Sequence, residues 1–110
     1  MIFKRTDDRR GEPRRPVNLR GVVSAPGYEV ACVITDLSDK GLRVRLDRAA
    51  APPERAMVVD VVEAAVYDVQ VRWREGMEAG FTIISKASLR GLTPARLTLA
   101  REAWLRAGGR

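Results

Sequence analysis

Residues 66–74, VYDVQVRWR, alternate between apolar and polar side chains along their whole length. In an extended strand successive side chains point to opposite faces, so this alternation predicts a half-buried β-strand. The face predicted to be buried carries Tyr67, Val69, Val71 and Trp73. No other segment of the chain predicts a strand as strongly.

Five more segments have the composition of short strands. Val17–Ala25 and Tyr28–Thr35 flank a Pro-Gly turn and predict a hairpin. Three further strands are predicted at Gly41–Asp47, Met57–Glu63 and Ala79–Ile84. Strands that recur every 8 to 12 residues or so are typical of all-β domains. The pattern therefore favours a small antiparallel barrel or sandwich over residues 17–85.

The period changes near the end of the chain, where residues 93–107 predict a helix. Thr93 is a suitable N-cap, Pro94 suits the first helical position, and Gly108 follows the last turn. Apolar residues recur at helical spacing at Leu97, Ala100, Trp104 and Ala107. This stripe must pack on something, and it either caps an open end of the barrel or contributes to a dimer contact.

Composition indicates one globular domain. The chain has 110 residues, of which 45% are hydrophobic and 31% charged, enough to build a single core. It contains no apolar run long enough to cross a membrane and no signal-peptide pattern. The single cysteine, Cys32, lies in the apolar run VACVI and is expected to be a buried thiol. These features predict a cytoplasmic protein.

Positive charge is concentrated at the start of the chain. The formal net charge is +6, and the first twenty residues carry seven basic against three acidic side chains. Residues 1–16 are therefore predicted to form a flexible basic arm. Such an arm indicates a phosphate-bearing partner or an acidic surface.

Two short motifs stand out against this background. Arg10 and Arg14 form R-x-x-x-R just before the first predicted strand, and Asp36, Ser38 and Gly41 form D-x-S-x-x-G after the second. In the second motif the aspartate and serine could stabilise a tight turn, with Gly41 supplying a positive φ. A tight turn explains each of these residues taken singly. It explains less well why the two motifs occur together in this order.

In these motifs the chain resembles the PilZ domain family, bacterial receptors for the second messenger cyclic di-GMP. The segments VRW at 71–73 and AGF at 79–81 look like the late strand pair of that family, and the resemblance covers Asp8 to about Ile84. It implies a six-stranded antiparallel PilZ-type β-barrel with a C-terminal helix. It also implies that the arginine arm and the motif loop enclose the ligand from opposite sides, with Arg9 and Arg15 as supporting residues.

The motif residues suit such a ligand chemically. Arginine can grip phosphate oxygens, match the guanine O6 and N7 atoms, and stack on a base. Asp36 can accept from the N1–H and N2–H donors of guanine, and the Ser38 hydroxyl can donate or accept. Gly41 leaves room for close approach of the ligand. We therefore predict a cyclic di-GMP site made of Arg10, Arg14, Asp36, Ser38 and Gly41.

Other function classes are less well supported. The chain has no histidine, no phosphate-binding glycine loop and no metal-ligand spacing, so neither an enzyme nor a bound cofactor is predicted. A nucleic-acid-binding barrel would suit the basic arm, but few aromatic residues are present to stack on bases. A third alternative is a PilZ-type adaptor that binds only proteins. Expected partners are cyclic di-GMP and a downstream protein in motility or biofilm regulation, with the chain a monomer or homodimer.

Overall fold

Six antiparallel strands followed by one short helix make up the protein in a computed structural model, which describes residues 15–110. The strands are β1 (Arg15–Ala25), β2 (Tyr28–Leu37), β3 (Gly41–Leu46), β4 (Arg55–Asp60), β5 (Ala65–Glu75) and β6 (Glu78–Ser88). A 3₁₀ turn at Ala95–Leu97 leads into helix α1 (Thr98–Arg106).

The strands close into a barrel in the order β1-β2-β3-β6-β5-β4, and β4 pairs back with β1. Every neighbouring pair is antiparallel. The predicted six-stranded antiparallel barrel is therefore confirmed, and the sandwich alternative is excluded because β1 and β4 join the two edges of the sheet. Wherever neighbouring strands are paired along their full length, the closed barrel has no free strand edge.

Apolar side chains from all six strands fill the barrel interior. The largest fully buried ones in it include Val23, Ile34, Val44, Val58, Val69 and Phe81. Cys32 lies among them with 2% of its surface exposed, as predicted. Burial raises the pKa of its thiol to about 12, because the thiolate would have to leave water.

The turn between β4 and β5 ends β4 earlier than predicted. The strand was expected to continue to Glu63, but residues 61–64 form a turn in which Ala64 has a φ of 56°. Asp60 stabilises this turn, because its Oδ1 accepts a hydrogen bond from the Glu63 amide at 3.1 Å. The valine-rich composition concealed the turn, which contains no glycine or proline.

Helix α1 packs on the outer surface of the barrel, against β1 and β4, and not over an open end. Its apolar stripe, which also includes Ala103, meets the outward-facing side chains of the strands, such as Val22, Val59 and Val66. The Trp104 indole donates a hydrogen bond to the Val61 carbonyl oxygen at 2.8 Å. The expectation that the helix caps the barrel is therefore wrong, since the strands under it are buried on both faces.

The start of the helix also differs from the prediction. Thr93 was expected as the N-cap, but the 3₁₀ turn begins after Pro94 without a side-chain cap, and regular α-helix starts only at Thr98. Packing of Leu97 and Ala100 against the barrel, not capping, holds this end in place. Within residues 15–110, neither helical segment has the length and apolar character of a membrane-crossing helix.

Candidate functional site

The D-x-S-x-x-G motif forms the tight connection between β2 and β3. The Ser38 amide donates to the Gly41 carbonyl oxygen at 2.9 Å, and the Gly41 amide donates to Ser38 Oγ at 3.2 Å. The Lys40 amide also approaches Ser38 Oγ, at 3.4 Å. The serine hydroxyl therefore accepts hydrogen bonds inside the turn and also donates one to the Gly41 carbonyl oxygen at 3.3 Å, which leaves Asp39 and Lys40 at the tip of the turn.

Gly41 does not adopt the positive φ that the sequence suggested. It begins β3 in ordinary strand conformation, and the space beside it favours glycine. A Cβ atom at this position would lie 3.0 Å from the Phe81 carbonyl oxygen of the paired strand β6. A neighbouring backbone within the barrel thus approaches Gly41 closely, and approach of a ligand at this position stays a prediction.

Asp36 is held by an ion pair on the outer face of the barrel. Its Oδ2 lies 2.7 Å from Arg43 Nη2, and its side chain is 16% exposed. Arg43 is directly opposite on β3, and its Nε lies 3.4 Å from Thr35 Oγ1. The carboxylate that we predicted to meet guanine is therefore already paired with a guanidinium, which sequence reasoning did not identify.

Asp36, Ser38 and Gly41 lie at one end of the barrel, which we call the motif end. Because the strands are antiparallel, this end collects the start of β1, the end of β2 and the start of β3, together with the end of β6. The pairing of β1 with β4 stops at Gly21 and Asp60, so the first part of β1 pairs only with β2. A cleft opens beside this unpaired edge.

Two adjoining cavities occupy the cleft. The larger has a volume of about 520 Å³ and the smaller about 130 Å³, and the smaller one reaches Ser38 and Asp39. Their shared lining residues are Arg15, Leu37, Tyr67 and Lys86. Arg15 and Lys86 supply positive charge here, whereas Asp60 and Glu63 line the far side of the larger cavity. The site thus offers anion-binding groups next to the motif turn.

A row of outward-facing residues crosses four strands beside the motif turn. Asp36 pairs with Arg43, Arg43 with Gly80, and Gly80 with Trp73. The indole lies over Gly80, where an added Cβ would come within 2.2 Å of Trp73 Nε1. The prediction that Trp73 faces the interior with Tyr67 is wrong, because the strand register shifts between Val71 and Trp73. The shift leaves the indole 38% exposed.

The structure brings together only part of the predicted site. Asp36, Ser38, Gly41 and the supporting residue Arg15 meet at the motif end, whereas Arg9, Arg10 and Arg14 lie outside the described residues. Sequence analysis did not assign Arg43, Tyr67, Trp73 or Lys86 to the site. The sequence did contain a signal for Arg43, because this residue follows the motif at an outward position of an alternating strand. It contained no signal for Trp73, because the register shift reverses the face of the sheet on which this side chain lies.

The family of the protein follows from comparison with known proteins. No curated protein matches the chain. The family model of the PilZ domain matches residues 8–95, which span the arginine motif, the whole barrel and the lead into the helix. Because this match covers most of the chain, the protein belongs to the PilZ domain family.

Proposed function

We propose that this protein is a receptor for cyclic di-GMP that binds the dinucleotide between its N-terminal arginine motif and the turn formed by Asp36, Ser38 and Gly41. The PilZ domain is in general a cyclic di-GMP-binding domain and not a catalytic one. The proposal assigns that activity to this chain and to these residues.

One observation supports the proposal most directly: Arg15 pairs with Leu37, the residue before Ser38. Arg14 is the residue immediately before Arg15 in the sequence, one Cα–Cα step of about 3.8 Å along the chain. Arg10 is five residues before Arg15, within roughly 17 Å at about 3.4 Å for each extended residue. Both arginines can thus reach a ligand that rests on the motif end.

The charges of the site suit the ligand. Cyclic di-GMP has two phosphodiester groups, and arginine binds phosphate oxygens through two parallel hydrogen bonds. Arg15 and Lys86 line the adjacent cavities and add to the positive potential around them. A dianion should therefore be attracted to the motif end even before close contacts form.

Asp36 is proposed to recognise the guanine edge by exchanging partners. One of its oxygens lies 2.7 Å from Arg43 Nη2. A carboxylate can accept several hydrogen bonds, so guanine can add to this pair or displace the guanidinium. A displaced Arg43 would remain beside the ligand, free to bind a phosphate or the guanine O6 and N7 atoms.

Trp73 is proposed as a stacking surface for one guanine. Its exposed indole lies in the same row of residues as Asp36 and Arg43, with only Gly80 between it and Arg43. Stacking of a base on an aromatic side chain contributes about 1 to 3 kcal/mol. Together with Asp36, it would distinguish a purine dinucleotide from a simple diphosphate.

Binding is proposed to signal by ordering the N-terminal arm around the ligand. A ligand that binds the closed arrangement better shifts the population towards it. The arm would then present a surface that a downstream protein recognises. Because the messenger is bacterial, we place this receptor in the bacterial cytoplasm, in control of an output such as motility or biofilm formation.

The proposal is tested by calorimetric titration of the full chain with cyclic di-GMP. We expect a Kd in the micromolar range or below, near-complete loss of binding for Arg10→Ala or Arg14→Ala, and weaker binding for Asp36→Ala or Ser38→Ala. Loss of one charge-assisted contact should cost about 1.5 to 3 kcal/mol, which is roughly tenfold or more in Kd.

Controls separate this function from its rivals. Arg101→Ala on α1 removes the same charge away from the motif end and should leave the affinity unchanged, while GMP and a DNA oligomer should bind far more weakly. Undiminished affinity in the Arg10→Ala/Arg14→Ala double variant would overturn the site. Tighter binding of DNA would favour a nucleic-acid-binding barrel, and no heat with any ligand would favour an adaptor.

A further inference from the structure

A second pocket lies between the start of helix α1 and the outer face of the barrel, on β1, β4 and β5. Its volume is about 280 Å³. It is lined by Ser24, Ala25, Pro26, Arg55, Ala56, Met57, Asp68, Arg96 and Leu99. None of these residues belongs to the motif end, so the pocket is independent of the proposed nucleotide site.

Ser24 gives this pocket an unsatisfied polar group. The residue is only 3% exposed, and its hydroxyl has no hydrogen-bond partner among residues 15–110. Burial of a hydroxyl without a hydrogen-bond partner costs enough free energy that most buried hydroxyls are paired. The unpaired exceptions often mark a place for water or a ligand. Ser24 can therefore donate a hydrogen bond to a molecule in the pocket.

Arg96 supplies a cation at the same pocket. It makes no ion pair with any part of the chain that the structure describes, although it lines the cavity. Arg55 lies on the same pocket, and its Nη2 is 3.9 Å from Asp68 Oδ1, a long and weak contact. The remaining lining residues, among them Met57 and Leu99, are mostly apolar.

We propose that this pocket binds a small organic acid with an apolar chain or ring. Its carboxylate would accept hydrogen bonds from Ser24 and Arg96, and its apolar part would cover Met57 and Leu99. The volume is near the lower limit of about 300 Å³ for small-molecule pockets, which favours a ligand of fragment size over a nucleotide. A ligand of this size has few atoms that can contact the protein, so the expected Kd is millimolar.

Octanoate is the probe for this proposal, added to the full ¹⁵N-labelled chain while amide chemical shifts are recorded. We expect saturable shifts at Ser24, Met57 and Leu99. Arg96→Gln should weaken binding about tenfold, as expected for loss of a charge-assisted contact. Ser24→Ala should weaken it severalfold without lowering the free energy of unfolding, because its hydroxyl has no hydrogen-bond partner among residues 15–110.

Matched controls make the result decisive. Arg101→Gln removes a guanidinium from the same helix outside the pocket and should leave octanoate binding unchanged. Octylamine, with the opposite charge, should not bind. The proposal fails if octanoate causes no saturable shifts, if Arg96→Gln binds as well as the unmodified chain, or if octylamine or octanol binds equally well. These variants should still bind cyclic di-GMP, so failure here is distinct from failure of the nucleotide site.

Discussion

At the scale of single residues, the candidate motif combines structural and binding chemistry. Ser38 holds the turn between β2 and β3 through its hydroxyl, and Gly41 lets β3 approach β6 closely. Asp36 is tied to Arg43 across the strand pair. A substitution in this motif can therefore weaken ligand binding through the turn as well as through a lost contact, and stability must be measured alongside affinity.

Ser38→Ala should destabilise the protein even without ligand. Loss of the acceptor for the Gly41 amide is expected to lower the free energy of unfolding by about 1 kcal/mol. Chemical denaturation of the ligand-free chain measures this change. Ser85→Ala is the matched control, since Ser85 is an exposed strand serine without a side-chain hydrogen bond among the described residues. Equal stability of the two variants would contradict a structural role for the Ser38 hydroxyl.

Cys32 should make stability depend on alkaline pH. Burial raises its pKa from 9.0 to about 12 in the folded state, so above pH 9 the unfolded chain loses a proton that the folded chain keeps. Ionisation then favours the unfolded state, and the free energy of unfolding should fall by up to about 1.4 kcal/mol per pH unit until the folded thiol also ionises.

The measurement for Cys32 is the difference in unfolding free energy between the unmodified chain and Cys32→Ala from pH 8 to 10.5. Other titrating groups are common to both chains and cancel. As the pH rises above 9, the unmodified chain should lose stability relative to Cys32→Ala. The thiol should also resist a disulfide reagent until the protein is unfolded. A pH-independent difference would show that the thiol titrates normally in the fold.

At the scale of elements, helix α1 is attached to the barrel by polar contacts at its C-terminal end as well as by its apolar stripe. Arg20 on β1 donates to the Ala107 carbonyl oxygen at 3.0 Å, where a positive charge suits the helix dipole. Arg106 binds Glu29 through two nitrogens, at 3.0 and 2.6 Å. Glu29 is in β2, just after the first hairpin turn, so the helix is linked to two strands.

Arg106→Gln should raise the pKa of Glu29. The hydrogen bond from Arg106 lowers this pKa in the folded protein, so the pair stabilises the fold above the ordinary glutamate pKa and this contribution disappears as pH falls through the lowered value. Titration of the Glu29 carboxyl by carbon NMR measures the shift. Arg101→Gln should leave the titration unchanged, and an unaltered Glu29 in Arg106→Gln would show that the pair does not form in solution.

At the scale of the whole molecule, residues 15–110 form two apolar cores that share strands β1, β4 and β5. One core fills the barrel, and the other lies between the barrel and α1. Neighbouring residues such as Val22 and Val23, or Val58 and Val59, therefore serve different cores. The helix completes the fold, because without it an apolar wall of the barrel would face water.

Removal of residues 93–110 should therefore destabilise the barrel strongly. Truncation of a buried tryptophan to alanine alone costs about 3 to 5 kcal/mol, and Trp104 is only one of the buried residues lost. Small domains have only about 5 to 15 kcal/mol of stability. Thermal unfolding and binding of a hydrophobic dye test the effect; Leu105→Ser, at a position 51% exposed, is the control. A truncated chain that unfolds cooperatively near the original temperature would contradict this prediction.

The sequence by itself determined the strands and the motif, because these depend on local chemistry. Its pattern left a barrel and a sandwich both open, and the long-range pairing of β1 with β4 decided for the barrel. Alternation at positions such as 67 and 69, the Pro26-Gly27 turn and the spacing of Asp36, Ser38 and Gly41 can all be read within a few neighbouring residues. The burial of Cys32 followed in the same way from its apolar neighbours.

Only the tertiary structure decided which faces and partners meet. The register shift that turns Trp73 outward, the ion pair between Asp36 and Arg43, and the packing of α1 on the side of the barrel depend on strands far apart in the chain. A one-residue shift in strand pairing reverses the face of a side chain, and no local pattern specifies such a shift. Long-range pairing therefore set the surroundings of the motif, although local chemistry had already identified its residues.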